Sequence, residues 1–270
     1  MCTDAKSMSL QSSNRLHSFF AALIVAYPLA HGSPACAQGV MDSTERAHSA
    51  PPSVERRAEP ICAAAAATAA KFTEIEREAK QGNPVAQHSL GVFYWCGTGA
   101  KEDFSEAAAW YRRAADQGYS HSQFNLGELY LHGYGVQRDE VSAAYWLRKS
   151  ADQGEARAQS ELGNLYFLGV GVREDQAQAA MWLRKAAMQG DANAQTRIGL
   201  MLKNGFGMRP NLIAAYAWLK IAEITHPSSV VGELDYLPEL SGDALSVAEG
   251  IASGWKIGDS VPEDIQPPKP

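Results

Sequence analysis

The hydrophobic and polar positions in the central part of the chain recur with a period of 36 residues. Residues 118–153 and 154–189 are identical at 18 of 36 aligned positions, and one further copy adjoins each side. Four units therefore follow one another without insertion, at residues 82–117, 118–153, 154–189 and 190–225. Self-similarity at a short fixed period is typical of stacked repeat proteins, in which each unit packs only on its neighbours.

Each unit predicts two helices. Helix A is expected from the third to the fifteenth position, because apolar residues at the fifth, ninth, twelfth and thirteenth positions fall on one helical face. In the first unit these residues are Ala86, Leu90, Phe93 and Tyr94. Helix B follows with paired alanines and one tryptophan per unit, a side chain that supplies a large apolar area to a core. The tryptophans are Trp110, Trp146, Trp182 and Trp218.

Glycine and acidic residues recur between the helices. A glycine within helix A costs about 0.8–1 kcal/mol relative to alanine, so its recurrence predicts a close approach of helix B, most simply of its alanine-rich face. A G-x-G turn then ends helix A, where a left-handed backbone favours glycine. It follows a helix and lacks a third glycine, which argues against a phosphate-binding loop. The interior glycines are Gly91, Gly127, Gly163 and Gly199.

Helix B is predicted to begin at a capping residue in every unit. These residues are Asp103, Asp139, Asp175 and Asn211. Asp103 with Glu106, and Asp175 with Gln178, have the spacing of a capping box. Recurring carboxylates are also typical of metal or catalytic sites, but a whole repeat separates these from one another. Capping is therefore the better interpretation, and neither a metal nor a cofactor is predicted.

An export signal is predicted for residues 1–37. The apolar stretch Phe19–Ala30 is shorter than the roughly 20 residues of a membrane-spanning helix. Ala35-Cys36-Ala37 offers the small residues that a signal peptidase recognises. Removal of this signal would leave a chain without a stable membrane span. We expect this mature chain to be periplasmic or secreted.

The segments that flank the repeats have distinct compositions. Residues 38–60 mix proline, serine and both charge signs and predict a flexible leader. Residues 61–81 predict an N-terminal capping helix, and residues 226–258 a C-terminal cap with its own helix. Residues 259–270 carry four prolines and predict a disordered tail. The formal charge of −6, without a Lys/Arg stripe, argues against a nucleic-acid partner.

Together these residues resemble the Sel1-like repeat family, relatives of the tetratricopeptide repeats. The pattern A-Q-x-x-L-G-x-x-Y-x-x-G-x-G-V-x-x-D-x-x-x-A-A-x-W-L-R-K-x-A-x-Q-G is present almost letter for letter in the second and third units. The first unit departs at Ala100, and the fourth at Met201-Leu202, Asn211 and Glu223, as terminal repeats commonly do. The resemblance implies an all-α, right-handed α/α solenoid of four helix-turn-helix repeats with helical caps at both ends.

The resemblance also implies a binding groove lined by the A helices, as in tetratricopeptide arrays. Large apolar groups at groove positions suit the anchoring of a peptide or protein. The alternative is that some of them pack between neighbouring A helices. We call the following set the A-helix surface: Val85, His88, Val92, Trp95, His121, Phe124, Glu128, Leu131, His132, Arg157, Asn164, Phe167, Leu168, Arg197, Leu200 and Lys203.

Family members act chiefly as adaptors, so the resemblance implies a monomeric, non-enzymatic protein that binds another protein or peptide, in some relatives within envelope signalling or assembly complexes. Some cysteine-rich relatives are described as β-lactamase or penicillin-binding proteins. Ser253-Gly254-Trp255-Lys256 fits the S-x-x-K motif of those enzymes, but S-D-N and K-T-G companions are missing. A third class, peptidoglycan or polysaccharide binding, is compatible with aromatic residues such as Trp95 and Phe167.

Two cysteines, Cys62 and Cys96, remain after the predicted signal is removed. An oxidising compartment favours their pairing. An antiparallel capping helix would carry Cys62 back towards the end of helix A, although a bond then requires the chain to bend near residues 63–67. A disulfide and two free thiols both stay open at this stage.

Overall fold

The structure is a computed structural model, and it describes residue 62, residues 71–227, residue 240 and residues 242–262. The predicted signal and leader, most of the first half of the N-terminal cap, and residues 263–270 of the predicted tail lie outside these residues. Every regular element among the described residues is a helix. The helices are α1 Phe72–Lys80, α2 Pro84–Cys96, α3 Phe104–Asp116, α4 Ser120–His132, α5 Glu140–Asp152, α6 Ala156–Leu168, α7 Gln176–Met188, α8 Ala192–Asn204, α9 Leu212–Thr225 and α10 Gly242–Gly254.

The four repeats form four helix pairs that stack in chain order. Helices α2, α4, α6 and α8 are the A helices, and each spans the third to the fifteenth position of its unit. Each A helix packs on the B helix of its own repeat and on the preceding helix, which is the capping helix α1 for α2 and a B helix for the other three. Leu90, Leu126, Leu162 and Ile198, at the ninth position, are at most 1% exposed. This arrangement is an α/α solenoid, as predicted.

The predicted capping residues begin the four B helices. In α3, the Asp103 side chain accepts hydrogen bonds from the N–H groups of Ser105 and Glu106, and the other three repeats use the same device. The Asp103 N–H donates to the Tyr94 carbonyl oxygen at 2.9 Å, which ties the start of helix B to the end of helix A. The reciprocal half of the predicted capping box is therefore absent, because that N–H already has its partner.

The glycines within the A helices allow close packing, as predicted. A Cβ atom on Gly127 would lie 2.7 Å from Leu147 Cγ and 3.3 Å from the Ala143 carbonyl oxygen. The closest neighbour is thus the large residue that follows the tryptophan, whereas the alanine face contributes backbone. The second glycine of the turn is equally constrained, since a Cβ on Gly135 would lie 2.1 Å from the Phe104 carbonyl oxygen.

A ladder of buried glutamines connects successive repeats, which the sequence analysis did not predict. Gln123 donates through Nε2 to the Ala115 carbonyl oxygen of the preceding repeat at 3.1 Å. Its Oε1 accepts from Gln153 Nε2 at 2.6 Å. The same pair of bonds recurs at Gln87 and Gln159. Each glutamine therefore adds a side-chain hydrogen bond between successive helix pairs to the backbone bond that Gly118 N–H, or its equivalent, already donates to the same carbonyl.

The two ends of the stack are covered by helices. At the first end, the Phe72 ring of α1 lies 5.5 Å from that of Phe93 between centroids. At the other end, α10 buries Ala244, Ala248 and Ala252 against the last repeat. Within the described residues, no helix is both long enough and apolar enough to cross a membrane.

Candidate binding surface on the A helices

The residues of the A-helix surface differ widely in exposure. Val85, on α2, is 54% exposed. His121, His132 and Arg157 are also exposed, and nine further members are partly buried. Phe124, Asn164 and Leu200 are at most 8% exposed, so these three pack inside the repeats. The alternative of internal packing therefore describes part of the predicted set, and the remainder leaves a row of accessible side chains along the A helices.

A charged and aromatic cluster lies where the first three A helices are adjacent. Glu155 Oε1 accepts from Arg157 Nε at 3.1 Å, and its Oε2 lies 3.6 Å from His121 Nε2. The side chains of Arg157 and His121 remain 47% and 50% exposed, whereas that of Glu155 is 15% exposed. The Arg157 guanidinium lies over the Phe124 ring at 4.6 Å, and the Tyr119 ring stacks on His121 at 5.5 Å. A partly buried carboxylate thus orients two exposed cationic or polar groups.

His88 lies beneath this cluster as a neutral ring. Its Nδ1 is 2.9 Å from the hydroxyl of the fully buried Ser122, and its ring lies 5.1 Å from that of Tyr119. Burial, together with the nearby His121 and Arg157, lowers the pKa of His88 to about 4. Because the Ser122 hydroxyl is inaccessible, this Ser–His pair serves packing and hydrogen bonding.

A second polar network follows on the third and fourth repeats. Arg197 donates a hydrogen bond to the Asn164 side-chain oxygen, and Asn164 Nδ2 donates to Glu161 at 3.2 Å. The Ser160 hydroxyl donates to Asp191 at 3.2 Å. Burial raises the pKa of Asp191, the residue that caps α8. These bonds fix the side chains of neighbouring A helices relative to each other.

Aromatic residues gather where the A helices end. The Trp95 ring lies 4.8 Å from that of Phe104 and 5.6 Å from that of Tyr134. The Phe167 ring lies 5.8 Å from that of Phe206, which belongs to the glycine turn of the next repeat. Trp95 and Phe167 are partly buried, so each combines a packing role with an accessible edge.

Tyr119 and Glu155 belong to the candidate surface but were missed in the sequence analysis. Both occupy the second position of a unit, just before helix A begins, and the expected groove started two residues later. Their side chains reach the surface because the chain is extended there, with ψ values of 110° and 113°. The signal that could have identified them is the variation at this position, which reads Asn83, Tyr119, Glu155 and Asp191.

The serine and lysine of the S-x-x-K motif lie at the end of α10. Ser253 is exposed, and its hydroxyl donates to the Gly250 carbonyl oxygen at 3.2 Å within the same helix. The Lys256 N–H donates to Asp259 at 2.8 Å. Within the described residues, no group of three or more His, Cys, Asp or Glu side chains is arranged to hold a metal ion.

The repeated helix pairs, their glycine turns and the glutamine ladder define a repeat protein of the tetratricopeptide-like class. The Sel1 repeat family model matches residues 84–119, 120–155, 156–191 and 192–223. The chain therefore belongs to the Sel1 repeat family. The matched frame begins at the first residue of helix A, two positions later than the units defined above. Sel1 repeats serve mainly as a scaffold for interactions between proteins.

Solved structures of Sel1 repeat proteins resemble this chain. A Sel1 repeat protein from Oxalobacter formigenes is 29% identical, with a TM-score of 0.56; the match covers 70% of this chain and 86% of that one. The protective antigen c5321 of uropathogenic Escherichia coli, which displays an SLR fold, is also 29% identical, with a TM-score of 0.44. That match covers 67% of this chain and 47% of the antigen, so the chain spans about half the antigen's length. No curated protein matches the chain.

Proposed function

We propose that this Sel1 repeat protein is an exported adaptor that binds a segment of another protein along its A-helix surface. The observation that carries the proposal is the cluster around Glu155, in which Arg157 and His121 are fixed by a carboxylate and yet remain about half exposed. Internal packing does not require their exposed ends. Preoriented polar groups beside aromatic rings are the arrangement that recognition of a polypeptide uses.

The apolar members of the surface supply anchoring positions at both ends of the A helices. Leu131 and Trp95 lie at the ends of α4 and α2, and Val85 lies at the start of α2. Arg157 and His121 lie in the first turns of α6 and α4, so the surface offers hydrogen bonding at the starts of the A helices and apolar contact at both ends. A polypeptide lying across several A helices would use both kinds of contact.

The proposal is tested by recovery of a partner from an extract of the cell envelope. The mature chain, starting at Gln38, is immobilised as wild type, as His121→Ala/Arg157→Ala and as Arg173→Ala. Arg173 is an exposed arginine in the turn before α7 and is the matched control. We expect one stoichiometric protein with the wild type and with Arg173→Ala, and its loss with the double variant. Recovery that is equal for all three chains would contradict the proposal.

Two other outcomes would replace the adaptor function. Retention of the chain on murein or another glycan, weakened by Trp95→Ala, would favour polysaccharide binding through the aromatic group of Trp95, Phe104 and Tyr134. Turnover of nitrocefin that is abolished by Ser253→Ala would establish a β-lactamase-like enzyme.

Export is a separate part of the proposal and has its own test. The signal predicted for residues 1–37 implies cleavage after Ala37. Mass spectrometry of the protein purified from its own cells should give a chain that begins at Gln38, in the periplasmic or secreted fraction. A full-length chain in the cytoplasmic fraction would contradict export, whatever the outcome of the binding experiment.

A further inference from the structure

A second accessible surface lies on the B-helix side, where α7 meets the loop that precedes α9. It is an open cleft of about 720 Å³. Three methionines line it, Met181, Met188 and Met208. Met181 is 38% exposed, and the other two are partly buried. Flexible thioether side chains adapt to the shape of an apolar guest, which makes a methionine-lined surface suited to binding.

The charge of this cleft is opposite to that of the chain. Arg184, Lys185 and Arg209 line it, and none of the described residues along its wall is acidic. The whole chain carries a formal charge of −6. Lys185 Nζ lies 4.1 Å from the centre of the Trp182 ring, a cation–π contact within α7. The cleft is thus a local positive region on an acidic protein, and such a region attracts carboxylates.

The preceding repeats do not carry this combination of residues. Met188 occupies the position that Asp152 has in the second repeat, and Pro210 occupies that of Glu174 in the third. The junction between the second and third repeats therefore has two carboxylates, and the junction between the third and fourth repeats has apolar groups at the same positions. Met181 likewise takes the position of Tyr145. The loss of acid and the gain of methionine occur together at one junction.

The arginine of helix B also has a different environment at this junction. In the second repeat, Arg148 donates a hydrogen bond to the Tyr166 hydroxyl of the next A helix. At the corresponding position the fourth repeat has Leu202, which is fully buried. Arg184, the counterpart of Arg148, lines the cleft. The departure of the fourth repeat from the family pattern is concentrated around this surface.

We propose that the cleft between α7 and the loop before α9 binds an acidic, amphipathic segment of a protein partner. An apolar side chain of the segment inserts between the three methionines, and its carboxylates face Arg184, Lys185 and Arg209. The cleft shares no residue with the A-helix surface, so the two surfaces can be occupied independently.

The proposal is tested with labelled peptides and the mature chain, by fluorescence anisotropy. The probe has a stripe of leucines at helical spacing and glutamates at the other positions. One control peptide replaces glutamate by lysine, and another replaces leucine by serine. We expect the acidic amphipathic probe alone to bind, and its affinity to fall as salt is raised. Equal binding of the lysine peptide, or no binding of the acidic probe, would overturn the proposal.

Matched variants test whether the acidic probe binds at the cleft. Arg209→Glu and Met181→Ser should each weaken binding of the acidic probe by at least about ten-fold. Arg173→Glu and Tyr145→Ser are the same repeat positions one unit earlier and should leave binding unchanged. Equal weakening by the control variants would contradict the assignment. Self-association of the wild type that Met181→Ser abolishes, without probe binding, would instead make a second copy of the chain the occupant.

Discussion

Single residues in this repeat are selected by how little space the neighbouring helix leaves. Gly127 is the clearest case, because Leu147 is fully buried and its Cγ would lie 2.7 Å from an added Cβ. The recurrence of glycine alone predicted the close approach, since an interior glycine is otherwise unfavourable in a helix. The identity of the contacting side chain required the structure, because it depends on how helix B is rotated against helix A.

Gly127→Ala should destabilise the protein by about 1–2 kcal/mol, because the steric cost of overpacking outweighs the helix propensity that alanine gains. The measurement is the free energy of unfolding from urea denaturation. Gly250→Ala is the matched control, since Gly250 lies in α10 and an added Cβ meets no atom within 4 Å. The control should gain about 0.5–1 kcal/mol. Stabilisation by both substitutions would contradict the packing argument.

His88 makes the stability of the protein depend on pH. Its pKa is lowered from 6.5 to about 4 in the folded protein, where it faces His121 and Arg157. Between these two values the unfolded chain binds more protons than the folded one. Stability therefore falls as the pH is lowered through this range, and the neutral ring contributes fully only above the unfolded value.

His88→Gln should remove this part of the pH dependence while keeping a polar partner for Ser122. We expect the unfolding free energy of the wild type to fall by about 2 kcal/mol more than that of the variant between about pH 7 and pH 5. Urea denaturation of both proteins at each pH gives the difference. A difference that stays constant over this range would show that the folded protein accommodates the protonated ring.

At the scale of elements, the bounds of the A helices could be predicted from the sequence, because periodic apolar residues and a terminal glycine fix both ends. The capping aspartates were also predicted, but not the use of the Asp103 N–H by the Tyr94 carbonyl. The glutamine ladder was missed for a similar reason. Local spacing does not reveal a hydrogen bond from Gln123 to a carbonyl of the preceding repeat.

Gln123→Leu should destabilise the stack by about 2 kcal/mol, because it removes two hydrogen bonds made by a buried side chain, one to the Ala115 carbonyl and one from the Gln153 amide. Gln137→Leu is the control, since Gln137 is exposed in the turn before α5, and its effect should stay within about 0.5 kcal/mol. The measurement is again urea denaturation. Equal effects of the two substitutions would mean that the ladder adds nothing beyond packing.

For the whole molecule, the fold class could be predicted from the period of the sequence, whereas the binding surface could be predicted only in part. The predicted surface included Phe124 and Leu200, which pack inside, and omitted Tyr119 and Glu155, which border the exposed cluster. The rotation of each A helix decides these cases, and a single period does not specify that rotation closely enough. The cleft at the last junction was also not predicted.

The redox state of the two described cysteines bears on the compartment of the whole molecule. Cys62 and Cys96 are both disulfide-bonded in the structure. We propose that they pair with each other in the exported chain, as an oxidising compartment favours. Thiol titration of the denatured, unreduced mature protein should find no free thiol, and reduction should release both. Two reactive thiols before reduction would contradict the pairing.

The central claim is that the A-helix surface receives a protein partner that does not contact the exposed face of α5. Photo-crosslinking in living cells tests it most directly, with benzoylphenylalanine placed at Val85 or His121 on A helices, or at Val141 on α5. Val85 and Val141 form a matched pair, because both valines are more than half exposed. We predict one common adduct from both A-helix positions and none from Val141. The same adducts from all three positions, or none from the A helices, would contradict the account.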